Sequence, residues 1–395
     1  MKVVDIQNRI RDKAWNYLKG SFYHHRLVNP PILQNINFSP VQDQKRVIIC
    51  YQTTSHFFDL DEESKGRTQP YEILSIIKVF SELNYCIDVI GCNDLQALNY
   101  VSNKKYDVIF GFGEAFYQLT NYQPDAISVL YMTEHHPAFS YKEEQKRLDY
   151  FYARHKRTTN ISRSGLYYKL HHLNRKYSYV ITLSEIEPFI AQYKKPYSLF
   201  PTGIFNINYS FKRKNFEIAR KHFLWLGSKG VIHKGLDLLI DIFQKRSDVI
   251  LHIGGLSKAE KKVLPWKDSS NIIDHGQINI RSDLFLKIVE QCAYIILPSC
   301  SEGFSTSIST GMLHGLIPVV MKGTGFNRLN NKAVLLEDYK IEYIESALNE
   351  LANKSSHELN EVSNEVFKFA HQNFSVKAFK ENIQEIIVEI LNKNA

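Results

Sequence analysis

A single acid, Glu302, stands in a run of small and polar residues, Ser299-Cys300-Ser301-Glu302-Gly303-Phe304, and three hydroxyls follow it, Ser305, Thr306 and Ser307. Hydroxyls at that place are N-cap residues for a helix, which Gly315 would end. Before them, Tyr294 to Leu297 is an apolar run stopped by Pro298 and reads as a fully buried parallel strand; Ile317 to Met321 reads as the next one. A strand that runs through a small-residue loop into a helix N-terminus is an anion site. The first-turn N–H groups have no helical partner, and the dipole favours negative charge. A carboxylate at the mouth of such a site suits a ligand with both phosphates and hydroxyls, as a nucleotide sugar has.

This segment resembles the signature of retaining GT-B glycosyltransferases of the family 4 type, the glycosyl transferases group 1. Pro298, Ser299, Glu302, Gly303, Phe304, Met312, Gly315 and Pro318-Val319 match it. Two departures stand out. The second acid of the Glu-x7-Glu pair is replaced by Thr310, and the Gly-to-Pro spacing is one residue longer. The resemblance implies that Glu302 holds a donor-sugar hydroxyl and that the backbone from Gly303 to Ser307, with Phe304, Ser305 and Thr306, adds to a phosphate cradle. The family's second acid grips the ribose; Thr310 offers a neutral hydroxyl at most.

The stretch Leu224 to Phe243, LWLGSKGVIHKGLDLLIDIF, resembles the family's donor-diphosphate motif. A strand ends at Gly227, a loop follows, and a Leu-rich helix starts at Lys234-Gly235. Lys234 matches the family lysine. Lys229 lies where the family usually has Arg, which keeps the charge and loses the bidentate fork. Fixed cations there stabilise the charge that grows on the diphosphate as the sugar–phosphate bond breaks. A third site follows the strand ending at Met132: aligning Tyr131 and Thr133 on the family pattern puts His136 where a histidine faces the transferred sugar, with Glu134 and His135 beside it. The catalytic residues expected are therefore His136, Glu302 and Lys234. The donor contacts expected are Gly227, Lys229, Gly303, Phe304, Ser305, Thr306 and Thr310. His135 and Arg67 are acceptor-side candidates. Asp59-Leu60-Asp61 matches a metal-binding DxD but reads as a solvated acidic loop, and neither a metal nor a cofactor is expected.

These residues need a frame to hold them. From Arg46 the chain alternates strand and helix: RVIICY, a helix from Tyr71 to Leu83, strands at Cys86–Ile90, Asp107–Phe112 and Ala126–Met132, a charged helix from Lys142, and a strand at Tyr179–Leu183. A second series starts near His222. Such alternation predicts doubly wound parallel sheets. The fold class is α/β, and the resemblance implies GT-B, two Rossmann-like domains facing across a cleft. The expected domains are an N-terminal extension at 1–45, an acceptor domain at 46–205, a donor domain at 206–376, and a helix at 377–395 that crosses back to the N-terminal domain. Pro201 to Lys221 would be the linker.

The chain has 395 residues, 44% hydrophobic, enough for two sizeable cores. Its five cysteines form no CxxC pair, and buried reduced thiols in a cytoplasmic protein are expected. Residues 1–19 lack the apolar core of a signal peptide, and no run is long enough to span a membrane. The formal net charge of +8 suits anionic partners. Arg154, Lys156, Arg157, Arg163, Lys169, Arg175 and Lys176, interleaved with tyrosines, make either a solvated helical face or a face for an anionic membrane surface. The partners expected are a nucleotide sugar, a glycan or lipid-linked acceptor, and that membrane surface at the inner face. Nucleic acid is not expected. The reading is a glycosyltransferase of surface polysaccharide assembly; its rivals are a GT-B transferase acting on nucleic acid and an inactive glycosyltransferase-like binding subunit.

Overall fold

The computed structural model describes residues 32–40, 43–52, 68–164, 167–185, 196–211, 214–267 and 269–394. Asp59-Leu60-Asp61 and Arg67 lie outside the described residues. Among the described residues the strands lie in two sheets, one of seven strands and one of six. Contacts divide the chain into two compact units: Met1–Asp59 with Phe80–Ser128, and Leu60–Val79 with Val129–Ala395. The chain passes from one unit to the other after Asp59, after Val79 and after Ser128. Helix α1 (Thr68–Glu82) begins in the second unit and ends in the first.

In the first unit, β2 (Arg46–Tyr51) runs parallel to β3 (Cys86–Gly91) on one side and to β4 (Val108–Gly111) on the other. These strands are short apolar runs buried on both faces, which is why they lack alternation. Helix α2 (Gly113–Tyr122) follows β4. Leu33–Ile36, placed in an N-terminal extension, is a strand, β1, paired antiparallel with β3. The buried carboxylate of Asp88 ties it in, accepting from the Asn35 N–H at 2.8 Å, Tyr106 Oη at 2.6 Å and Lys104 Nζ at 2.9 Å. A four-residue strand between prolines carries no periodicity to read.

In the second unit, β5 (Ile127–Met132, whose first two residues belong to the first unit), β6 (Tyr179–Thr182) and β7 (Tyr197–Ser198) pair in parallel. The six-stranded sheet comprises β8 (His222–Leu226), β9 (Ile250–Gly254), β10 (Ile272–Asp274), β11 (Tyr294–Leu297), β12 (Ile317–Met321) and β13 (Val334–Leu336). All its pairs are parallel, and its order is β10-β9-β8-β11-β12-β13. That is the doubly wound order in which the chain reverses direction between β8 and β11. Ligands of open α/β sheets bind outside the carboxyl ends of the strands at such a switch point. The loops leaving those two strands carry Lys234 and Glu302.

The longer helices of this unit are α3 (Pro137–His155), α4 (Leu236–Phe243), α5 (Asp283–Gln291), α6 (Thr306–Leu313), α7 (Ile341–Ala352), α8 (Ser356–Asn373) and α9 (Val376–Asn392). Helix α3 starts at Pro137, five residues before Lys142 where the charged pattern becomes visible; Pro at the first helical position costs no hydrogen bond. The Pro201–Lys221 stretch is packed rather than loose: Thr202, Asn206 and Lys214 are buried, and Lys214 Nζ donates to the Cys292 carbonyl at 2.9 Å. The end of α9 meets β6 and β7, where Tyr197 Oη donates to Glu389 at 2.9 Å and Asn394 donates to Tyr179 Oη at 2.9 Å.

Candidate active site

The two switch-point loops meet side chain to side chain. Lys234 Nζ lies 2.6 Å from Glu302 Oε1, with the two side chains 8% and 9% exposed. Ser299 Oγ donates to the same oxygen at 2.8 Å. Burial alone would raise the Glu302 pKa, but Lys234, His233 and Arg163 outweigh it and bring it down to about 2. Glu302 is therefore an obligate acceptor at neutral pH.

Glycine is required at 303. A Cβ there would sit 1.9 Å from the Thr133 carbonyl oxygen, so the Glu302 loop and the loop after β5 touch backbone to backbone. Ser140 and Ser301 share a hydroxyl–hydroxyl hydrogen bond of 2.7 Å across the same contact. This brings Glu134 into the electrostatic surroundings of Glu302. Burial, countered by Arg163 and reinforced by Glu302, raises the Glu134 pKa to about 7.

Beneath Lys234 lies a charged layer that sequence reasoning missed. His233 Nε2 donates to the Ser301 carbonyl at 2.6 Å, and its Nδ1 is 3.4 Å from Glu144 Oε2. Burial would lower the His233 pKa; Cys300, Glu144 and Glu302 overcome that and raise it to about 10. Arg147, fully buried, donates to the Pro298 carbonyl at 3.3 Å, the Ile232 carbonyl at 3.2 Å and Asp237 at 3.2 Å. One guanidinium from α3 thus ties both site loops and the first turn of α4 together. Arg154, next along α3, pairs with Asp237 and Asp241.

The remaining expected residues divide. Lys229 is exposed and makes no ion pair among the described residues, and the Gly227 N–H donates to the Gly254 carbonyl at 3.0 Å. Ser305 is the N-cap of α6, yet its side chain makes no cap bond and pairs with Ser307 Oγ at 2.8 Å. Thr306 opens that helix, half-buried. The Phe304 ring is core, against Phe200, Phe326 and Phe374. His136 is the N-cap of α3; its Nδ1 accepts from the Ala138 N–H at 3.3 Å, which puts the ring proton on Nε2. Burial lowers the His136 pKa, so the ring is neutral at pH 7.

Two more of the expected residues are buried. His135 is buried, stacked on Phe139 with ring centroids 4.0 Å apart, and its Nδ1 accepts the His136 N–H at 2.8 Å. Burial, then His136, lowers its pKa to about 4. It is an interior ring. Thr310 is 3% exposed, and its hydroxyl accepts the Ile204 N–H at 3.1 Å. Its hydroxyl is turned to the Ile204 backbone. Of the basic face, Arg154 is paired within the fold and Arg157 donates to the Leu264 and Lys262 carbonyls, while Tyr168 and Tyr177 are buried. No described helix is long and apolar enough to cross a membrane.

No family model and no curated protein matches this sequence. Solved structures do. Sucrose-phosphate synthase from Thermosynechococcus elongatus superposes with a TM-score of 0.60 at 11% identity, over 88% of this chain and 100% of that one. Anabaena HepE in complex with UDP-glucose gives 0.55 at 14% identity, over 87% and 99%. The lipopolysaccharide outer core galactosyltransferase WaaB gives 0.56 at 13% identity, over 87% and 99%. The shared architecture is GT-B, as the Glu302 and Lys234 motifs lead one to expect.

Proposed function

We propose that this chain is a retaining glycosyltransferase that moves a hexose from a nucleotide diphosphate sugar to a glycan or lipid-linked acceptor, in the assembly of a surface polysaccharide. The observation that carries the reading is the Lys234–Glu302 pair at the switch point, a cation and an obligate acceptor 2.6 Å apart. Glu302 would accept from donor-sugar hydroxyls. Lys234, with Lys229 at the loop's exposed edge, would take the diphosphate. His136, neutral and protonated on Nε2, would donate to a sugar hydroxyl oxygen and is not a nucleophile. The bond from anomeric carbon to phosphate oxygen breaks with its electron pair going to the diphosphate. The acceptor hydroxyl forms the new bond on the same face and gives its proton to the leaving oxygen. Fixed cations do the electrostatic work, so the reading calls for no metal. The likeness to a UDP-glucose complex and to a lipopolysaccharide galactosyltransferase favours a uridine donor and a surface-glycan acceptor.

The test is a panel of nucleotide sugars with nucleotide diphosphate release as readout, run with and without a chelator. Glu302→Ala and Lys234→Ala should each lower turnover by on the order of 10²–10³. No release and no nucleotide binding across the panel would sink the reading. One observation favours the rival, a glycosyltransferase-like binding subunit: the ribose anchor's position is Thr310, whose hydroxyl is committed to Ile204. Binding without release would select it.

A further inference from the structure

We propose that Arg163 is a further ligand of the donor's diphosphate, supplying the guanidinium fork that the Lys229–Lys234 motif lacks. This rests on the donor-site reading above. The first observation is how the backbone at 163 is held. Glu144 is 1% exposed and accepts from five groups of one short loop. Ser162 N and Oγ reach Oε1 at 2.8 and 2.9 Å, Ser164 N and Oγ reach Oε2 at 3.0 and 2.7 Å, and the Arg163 N–H is shared between both oxygens at 3.3 Å. The same carboxylate pairs with His233, the residue before Lys234. The lysine and the Arg163 backbone are thus fixed from one anchor.

The second observation is where the side chain lies. Gly230 follows Lys229 and has φ of +92°; a Cβ there would meet Arg163 Cγ at 2.7 Å and Cδ at 3.1 Å. The arginine stem therefore lies on the backbone of the phosphate-motif loop. The third is the head group. Arg163 is half-buried, and its guanidinium makes no hydrogen bond or ion pair with any described residue. Its charge nonetheless acts to lower the pKa of both Glu302 and Glu134, so it lies within electrostatic reach of both.

A guanidinium on a packed stem, near two acids and bonded to neither, is a donor set waiting for an anion. Charge gives the same answer. Lys234 is paired with Glu302 and His233 with Glu144, whereas the Arg163 guanidinium carries a charge that no described carboxylate pairs. Arginine also matches phosphate bidentately where lysine is a point charge. The arginine missing from position 229 has its functional equivalent more than sixty residues earlier, on the loop after α3.

The experiment is titration calorimetry with UDP, GDP and ADP and their monophosphates, on the wild type, Arg163→Met and Arg163→Lys. Met keeps the stem on Gly230 and removes the donors; thermal unfolding checks that each variant is folded. For the diphosphate the wild type binds, Arg163→Met should weaken affinity about 10- to 100-fold while the monophosphate changes by less than about threefold. Arg163→Lys should recover part of the loss. Equal diphosphate affinity in wild type and Arg163→Met, or equal losses for di- and monophosphate, would overturn the proposal and leave the glycosyltransferase reading standing. A wild type that binds none of the three diphosphates would overturn both.

Discussion

Glu144 Oε2 and His233 Nδ1, 3.4 Å apart and both out of solvent, form an ion pair behind Lys234. Neither residue is placed to touch a ligand, yet between them they fix Lys234 and the loop that carries Arg163. A buried pair of this kind adds little over an apolar pair of the same shape, but removing one partner leaves an uncompensated charge. That asymmetry makes the pair visible in the pH dependence of stability.

Burial works against the His233 cation, and Cys300, Glu144 and Glu302 raise its pKa to about 10 in the folded protein. A raised folded pKa contributes stability that is fully present below the ordinary value of about 6.5 and is lost as pH rises toward 10. Wild-type stability should therefore fall between pH 7 and pH 10. His233→Gln should be less stable by on the order of 3–5 kcal/mol at pH 6, and the gap should narrow with rising pH. Denaturant midpoints at pH 6, 8 and 10 measure it; a gap that stays constant would show that the ring is neutral.

Glu302 titrates with the opposite sign. Its pKa is lowered from 4.5 to about 2, so the stability it contributes is present above 4.5 and lost as pH falls through 2. Lys234→Ala removes the partner at 2.6 Å and should move the acid transition to higher pH, besides lowering turnover. Acid unfolding of wild type and variant, followed by circular dichroism from pH 5 to pH 2, checks this. Superimposable curves would mean that the ion pair is not maintained in solution.

How much of this was legible depends on the residue. Strands β11 and β12 are readable residue for residue, because a strand buried on both faces is a plain apolar run bounded by proline or glycine. Lys234 and Glu302 are singled out by linear motifs, and the fold brings them together. Glu144, Arg147 and Arg154 are not: on a helix rich in charge they look like a solvated face, and only their partners on α4 and on the His233 and Pro298 loops reveal Glu144 and Arg147 as buried and Arg154 as paired. The start of α3 was hidden by the same mixture of charge and aromatic residues. Thr310 lies between these cases. Its position in the motif is readable, but its partner, the backbone at Ile204, is more than a hundred residues away.

Glu134 offers a test at neutral pH. Burial, with Glu302 beside it and Arg163 opposing, raises its pKa to about 7. Below that value it is neutral; above it, a second negative charge joins Glu302, with Arg163, Lys234 and His233 as the neighbouring cations, and on the proposed donor-site reading it opposes the diphosphate. The KM for the nucleotide sugar, whose diphosphate does not titrate in this range, should rise from pH 6 to pH 8 by up to about tenfold. Glu134→Gln should flatten the profile near its low-pH value. A wild-type KM that does not change across this window would exclude Glu134 from the donor pocket.

Restoring the family's second acid should fail here. Thr310 sits on α6 with 3% of its surface exposed, and the Ile204 N–H depends on its hydroxyl. In Thr310→Glu the longer side chain would have to displace neighbours in a helix whose residues from Ile308 to Leu313 are all buried, and a carboxylate would be left in the core. Overpacking and an unpaired buried charge each cost about 1–3 kcal/mol or more. The variant should unfold at lower denaturant, with turnover and donor affinity no better than wild type. Thr310→Ser, which keeps the hydroxyl for Ile204, should lose under about 1.5 kcal/mol and retain activity. An active, stable Thr310→Glu with tighter donor binding would mean that α6 turns this position toward the ribose, and that the wild-type chain differs from a fully equipped glycosyltransferase by one side chain.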